Sequence, residues 1–311
     1  MEIERDLLAS LPRTRRSVVG IGVFDGVHLA HRRLLETVCH KARQKGVDAG
    51  VITFDPHPQE VLSEKPRPRL CSLDERIRQM DALGLDFVGA IRFDREFSSL
   101  SPQEFVDKVL VRHLHVQEVV VGFNFRFGTG GQGTPAMLKE LGELNGFGVT
   151  TVGPVKVADL TVSSSAIRTA LENGSIPIAA QLLGRPYAVS GVVRTGAGRG
   201  RTIGFPTANL HVDPGNRLLP KRGVYRGVAQ PQTGAAFQAL INIGTRPTFD
   251  EETGPTFVEV YLHGFSGDLV DSQLKVTFLE RLRDERRFDT VDGLVSQIQN
   301  DLERLLSKSL Q

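Results

Sequence analysis

Two histidines three positions apart close the segment Gly22-Val-Phe-Asp-Gly-Val-His28-Leu-Ala-His31, which follows a short apolar run and opens a helical pattern. Side chains at i and i+3 of a helix start share a face. The first-turn N–H groups there lack helical partners and attract anions. Two imidazoles at that place can donate hydrogen bonds to phosphate oxygens and to charge developing on them. Gly22 and Gly26 let the backbone approach such a ligand closely. The same residues also fit a turn built on structural histidines, and a zinc site lacks an evident third ligand. A second group lies far along the chain, where Gly196-Ala-Gly-Arg-Gly-Arg-Thr-Ile-Gly204 leads into Phe205-Pro-Thr-Ala-Asn209. A glycine-rich loop with arginines can wrap a triphosphate through backbone N–H groups, although it also reads as a hairpin turn and matches no Walker A pattern. Thr207 and Asn209 are oxygen-bearing side chains two apart. On an extended strand they point to one face, which suits a hard cation that keeps several waters.

The elements that must position these residues differ between the two halves. Strand-like runs at Ser17–Phe24, Gly50–Phe54, Phe87–Phe93, Glu118–Phe123 and Val149–Val152 alternate with helical patterns. Leu34, Leu35, Val38 and Ala42 recur in one such pattern, and Leu73, Ile77, Met80 and Leu83 in another. This alternation predicts βαβ units and a parallel sheet, whose ligands bind outside the carboxyl ends of the strands. The pattern changes at 184–186. Close-spaced runs follow at Tyr187–Val193, Gly223–Ala229, Ala236–Ile243, Phe257–Leu262 and Leu274–Phe278, which predict an antiparallel sheet or barrel. A terminal helix carries Val291, Leu294, Val295, Ile298, Leu302, Leu305 and Leu306 on one stripe, read as packing against the barrel. The expected domains are 1–183 and 184–311.

Composition narrows the partners. The chain has 311 residues, more than one domain of about 100–200 residues needs. A net charge of +2 supplies no field that calls for nucleic acid or a membrane surface. No run of about 18 apolar residues suggests a membrane span, and residues 1–16 carry acids and lack the apolar core of a signal peptide. Two cysteines, Cys39 and Cys71, form neither a disulfide framework nor a CxxC site. The expectation is a soluble cytoplasmic protein acting on small molecules. Its oligomeric state is not written in these features.

The first motif resembles that of the HxGH-type nucleotidylyltransferases. Its flanks, with Thr53-Phe-Asp-Pro-His-Pro58, Val121-Gly-Phe-Asn-Phe-Arg-Phe-Gly128 and Val162-Ser-Ser-Ser-Ala-Ile-Arg168, resemble the bacterial bifunctional riboflavin kinase/FMN adenylyltransferases in the same order. Pro206-Thr-Ala-Asn209, Asn242-Ile-Gly-Thr-Arg-Pro-Thr-Phe249 and Phe257-Val-Glu-Val-Tyr261 extend the resemblance to the final helix. It implies a Rossmann-like nucleotidylyltransferase domain followed by a β-barrel kinase domain. Riboflavin would be phosphorylated to FMN by the second domain, and FMN adenylylated to FAD with release of pyrophosphate by the first, with ATP as co-substrate and Mg²⁺ as cofactor.

The resemblance also implies site residues. ATP would be held in the first domain by Gly22, Phe24, Asp25, Gly26, Asn124, Ser164, Ser165 and Arg168, with His28 and His31 acting on its phosphates. In the second domain Gly196, Gly198 and Gly204 would hold ATP, Thr207 and Asn209 the metal, and Glu259 would be the general base. Arg283 and Phe288 would contact flavin, as would Asn124 in the first domain. Read without the resemblance, Ser164 and Ser165 are ordinary helix-capping residues and Glu259 an ordinary exposed strand residue. The chain departs from the family pattern at Ala30, where Gly is usual, and at Ser165, where Thr is usual. It departs again at Asn124, often Asp, at Tyr261, often His, and at Val270-Asp271, usually Tyr-Gly. A kinase-only enzyme and a non-catalytic flavin-binding regulator are the alternative readings.

Overall fold

The computed structural model describes residues 1–196, 199–212, 217–232, 234–245 and 256–307. The chain divides into two compact units, Met1–Ser164 and Ser165–Gln311.

The first unit is built on a six-stranded sheet. Its strands are β1 (Glu2–Glu4), β2 (Ser17–Ile21), β3 (Asp48–Asp55), β4 (Phe87–Arg92), β5 (Val116–Gly122) and β6 (Gly148–Val152). They lie in the order β1-β4-β3-β2-β5-β6, every neighbouring pair parallel. Alternate strand residues feed two separate cores, as a period of two requires. Val19, Ile21, Ile52, Phe54, Val119 and Val121 join one core with the helical segments at 102–113 and Pro135–Asn145. Val18, Val51, Val88 and Val120 join the other with helices Leu29–Lys45 and Leu73–Asp81. A parallel sheet covered on both faces is the doubly wound arrangement. The chain moves outward from β2 to β3 and β4, then crosses back to β5. The carboxyl ends of β2 and β5 therefore flank the topological switch point, where such sheets bind ligands. A small antiparallel ribbon, β7 (Lys156–Val157) and β8 (Leu160–Thr161), completes the strands of this unit.

The second unit is a closed antiparallel barrel of β9 (Tyr187–Arg194), β10 (Ala208–Val212), β11 (Gly223–Pro231), β12 (Phe237–Thr245), β13 (Thr256–Leu262) and β14 (Gln273–Arg283), ordered β10-β13-β12-β11-β14-β9. Val258, Val260 and Leu262 fill its interior, while Phe257, Glu259 and Tyr261 point outward. Helix Ile176–Leu183 packs on β9 and β14.

Two differences from the sequence expectation have physical causes. The barrel has six strands rather than five, because the polar Asn209 and His211 interrupt β10, so that it forms no continuous apolar run. The final helix Val291–Leu306 packs on the barrel with only part of its stripe. Leu302 and Leu305 join Val224, Leu240 and Leu282 in a small core. Leu294 and Ile298 instead line a cavity, and Val291 and Leu306 are exposed.

Candidate functional sites

In the first unit the turn after β2 is strained. Phe24 has φ +54° and Val27 φ +39°, a region where a β-branched residue is a clear outlier. Such strain costs roughly 1–3 kcal/mol per residue and persists only where neighbours over-determine it. Here they do. The buried Asp25 carboxylate accepts from the Leu70 N–H at 2.9 Å and the Cys71 N–H at 3.1 Å, and the Gly26 N–H donates to the Cys71 sulfur at 3.0 Å. Asp25 thus braces the turn with its side chain.

This turn delivers His28 as the N-cap of helix Leu29–Lys45, where its Nδ1 accepts from the His31 N–H at 3.3 Å. The two imidazoles stack with centroids 3.5 Å apart, and Phe24 sets its edge against His31 at 5.1 Å. Burial, aided by His28 and by Arg76, pushes the His31 pKa well below its ordinary value of 6.5. His31 is therefore neutral at pH 7, a hydrogen-bond donor rather than a cation. The paired histidines of the motif are brought together on the phosphate-attracting end of a helix.

The Ser164 hydroxyl donates to the Asp25 carbonyl at 2.9 Å, tying the start of helix Ser164–Glu172 to the strained turn. Ser165 and the buried Arg168 follow on the same helix. Asn124 is exposed in the turn after β5, the other strand of the switch point. Gly22 packs under the Phe24 ring, where an added Cβ would come within 3.2 Å.

In the barrel unit the register makes the site. Asn209 on β10 stands opposite Glu259 on β13, and Asn242 on β12 stands opposite Glu259 on its other side. The row faces a cavity of about 670 Å³, whose walls include Phe205, Tyr261, Phe288, Leu294 and Ile298. That volume lies in the range of small-molecule sites. A second cavity of about 250 Å³ runs between the glycine-rich loop and the 267–270 turn. Gly200, Thr207 and Asn209 border both cavities, so the two expected metal ligands sit at the seam. The glycines are there for clearance. A Cβ at Gly196 would lie 1.9 Å from the Asn209 amide, and one at Gly200 would lie 2.3 Å from the Phe205 carbonyl. Gly204 turns the chain at φ +85°. Gly198, and Arg246 to Phe249 of the NIGTRPTF motif, lie outside the described residues.

Arg283 borders the larger cavity, with its guanidinium bound to the buried Asp301 of the final helix at 2.8 and 2.9 Å. Arg286 lies over the Phe288 ring at 4.8 Å. Sequence reasoning missed Asn242, Gly200 and Asp301 at this site, and Arg76 at the first. Asn242 had a signal in its NIG motif. Asp301, a lone acid on a helix stripe, had none.

An α/β unit presenting histidines at a helix start, joined to a barrel with oxygen donors between two cavities, defines a two-site transferase that works on phosphate compounds. Family models agree unit by unit: the FAD synthetase model matches residues 11–166 and the riboflavin kinase model residues 183–308. The chain belongs to the bifunctional riboflavin kinase/FMN adenylyltransferase family. A protein of that description from Bacillus subtilis is 38% identical over 290 residues, covering 92% of this chain and 90% of its own. The Escherichia coli K12 relative is 37% identical over 285 residues, covering 91% and 90%. A solved Streptococcus pneumoniae structure described as a macrolide-efflux protein aligns with a TM-score of 0.88 at 30% identity, over 99% of each chain. No helix among the described residues of this chain is long and apolar enough to cross a membrane.

Proposed function

We propose that the chain makes FAD from riboflavin in two ATP-dependent steps, one in each domain. The observation that carries the reading is the Asn209–Glu259–Asn242 row at the mouth of a flavin-sized cavity, with Thr207 and Asn209 at the seam to a second cavity. Riboflavin would occupy the larger cavity and ATP the smaller. Glu259 takes the proton from the ribityl 5′-hydroxyl as its oxygen bonds to the γ-phosphorus, and ADP leaves. Arg283 and Phe288 border the flavin.

Magnesium fits the donor set, since Thr207 and Asn209 offer neutral oxygens to a cation that takes its other ligands from phosphate and water. Among the described residues no three His, Cys, Asp or Glu side chains gather into a metal cluster. Bound there, the ion would offset charge on the transferring phosphoryl group.

In the first domain an FMN phosphate oxygen attacks the α-phosphorus of ATP and the bond to the β-phosphate breaks, releasing pyrophosphate. His28 and neutral His31 donate hydrogen bonds to the phosphates. Gly22, Phe24, Asp25 and Gly26 form the turn that presents the histidines. Asn124, Ser164, Ser165 and Arg168 complete the nucleotide site, with Asn124 also touching flavin phosphate. We divide the domains at residue 183/184, a division supported by the start of the kinase family match. We also read the enzyme as cytoplasmic, with no nucleic-acid partner.

The test is chromatography of products after incubation with riboflavin, ATP and magnesium. FMN and FAD together are expected. FMN alone would leave only a kinase, and neither product would leave a flavin binder.

A further inference from the structure

The largest of the fully buried side chains of the first unit is a charged one, Arg76, with 2% of its surface exposed. It lies in the first turn of helix Leu73–Asp81, whose start is fixed by a capping box. The Glu75 N–H donates to the Ser72 hydroxyl at 3.2 Å, and the Ser72 N–H donates to the Glu75 carboxylate at 2.9 Å. From this fixed base the guanidinium reaches under the sheet ends. Nη1 donates to the Val23 carbonyl at 2.7 Å and to the Thr53 hydroxyl at 2.8 Å, and both Nη atoms donate to the Phe54 carbonyl at 3.2 Å. Asp55 stands 3.6 Å away as its counter-charge.

Val23 is the residue before Phe24 in the strained turn, and Thr53 and Phe54 end the neighbouring strand β3. The Thr53 hydroxyl also donates to the Val23 carbonyl, at 3.0 Å. One fork of donors thus joins the loop that ends in His28 to the strand beside it. A buried charge is costly even where its neighbours are placed to receive it, which points to a role beyond stability. We propose that Arg76 is a positioning residue for adenylyl transfer, fixing the Val23–His28 turn against the end of β3 so that both histidines meet the α-phosphate in register. Being buried, it touches neither nucleotide nor flavin. The inference rests on the adenylyltransferase reading of the first domain.

The proposal explains a choice of side chain. Three acceptors shared between two nitrogens suit the planar fork of arginine, which a point-charged ammonium cannot duplicate. A misplacement of about 1 Å in a reacting group costs on the order of 100-fold in rate. The positive charge also faces His31, whose own helix supplies the stacked His28, and helps to keep that ring neutral.

The experiment compares wild type, Arg76→Met, Arg76→Lys and Thr53→Val in the full chain. Readouts are kcat and KM for FAD formation from FMN, kcat for FMN formation from riboflavin, and the His31 ring resonances by NMR. Arg76→Met should lower kcat for FAD formation by about 100-fold with KM for ATP near wild type, while FMN formation is unchanged. Arg76→Lys should recover about tenfold of that loss, since it restores charge and some of the bonds. Thr53→Val removes one acceptor without burying a new charge and should cost about fivefold, which keeps the test open if Arg76→Met does not fold. A folded Arg76→Met chain with wild-type kcat, a Lys variant no better than Met, or Thr53→Val with wild-type kcat and unmoved His31 resonances would overturn the proposal. Wild type that makes no FAD would instead overturn the adenylyltransferase reading itself.

Discussion

Asn209 and Glu259 are directly opposed on neighbouring antiparallel strands, so the expected cation ligand and the expected base are held in one row by backbone register alone. A slip of one residue in β13 would turn Glu259 into the barrel and bring Val258 or Val260 to the cavity. Closure of the barrel on both sides of β13 forbids that slip.

Glu259→Gln keeps the shape of this row and removes the base. FMN formation should fall by about 10²–10⁴-fold, the range of general-base contributions. FAD formation from supplied FMN should continue. Rates of the two half-reactions, measured on the same preparation, decide it. Near-wild-type FMN production would remove Glu259 from the mechanism.

A different prediction comes from the neutral His31. Its pKa is lowered in the folded chain, so below about pH 6.5 the unfolded chain binds a proton that the folded chain refuses. Its contribution to stability is therefore intact above pH 6.5 and is lost as the pH falls from there toward the folded pKa. Urea unfolding of the first unit between pH 7.5 and about 5 should show this slope, and His31→Gln should flatten it. Equal slopes in the two chains would mean that His31 titrates normally.

Asp271 occupies a left-handed conformation with φ +61°, a region that favours glycine. For a residue with a Cβ this costs roughly 1 kcal/mol. Its compensation is an ion pair with Arg194 in which both side chains are more than half exposed, worth about 0–1 kcal/mol and weakened by salt. The backbone bond from the Asp271 N–H to the Val193 carbonyl does not depend on the side chain. Asp271→Gly should therefore leave stability equal or raise it by about 0.5 kcal/mol, most clearly at high salt. A lowered urea midpoint at 0.5 M salt, or about that, would show that the ion pair outweighs the strain.

The two helices before the barrel supply a fourth prediction. Helix Ile176–Leu183 buries Ile176, Ala179, Leu182 and Leu183, and the Lys221 N–H donates to the Leu171 carbonyl of the preceding helix at 2.9 Å. Fragments 165–311 and 184–311 should both make FMN and no FAD. The shorter one should be less stable by about 3 kcal/mol or more, since buried aliphatic side chains contribute about 1.5–3 kcal/mol each. Circular dichroism during urea unfolding would measure the gap. Equal midpoints would mean that these helices add nothing to the barrel.

Much of this architecture was legible in residue pattern. The parallel sheet announced itself because its buried strands, such as Ser17–Ile21 and Asp48–Asp55, are apolar runs between helical periods. The histidine pair was legible because a helix start limits which side chains share a face. What stayed hidden was decided by tertiary contact. The edge strand Glu2–Glu4 is three residues long with acids on both sides of one isoleucine, and only pairing with β4 makes it a strand. Ser164 fits a helix cap by sequence, yet its hydroxyl goes to a carbonyl 139 residues away. Arg76 has the spacing of an ordinary exposed helix charge, and nothing local announces the carbonyls that surround it.

The final helix is fastened unevenly. Its far end is set by Leu302 and Leu305 in the small core against the barrel, by the Arg304 guanidinium on the Leu282 carbonyl, and by Asp301 on Arg283. Its near end, from the exposed Val291 to Ile298, stands over the cavity. It is a cantilever whose root is on the barrel and whose span walls the larger cavity. Substitutions at Leu294 or Ile298 would therefore reshape that wall while the contacts of Leu302 and Leu305 at the root stay as they are.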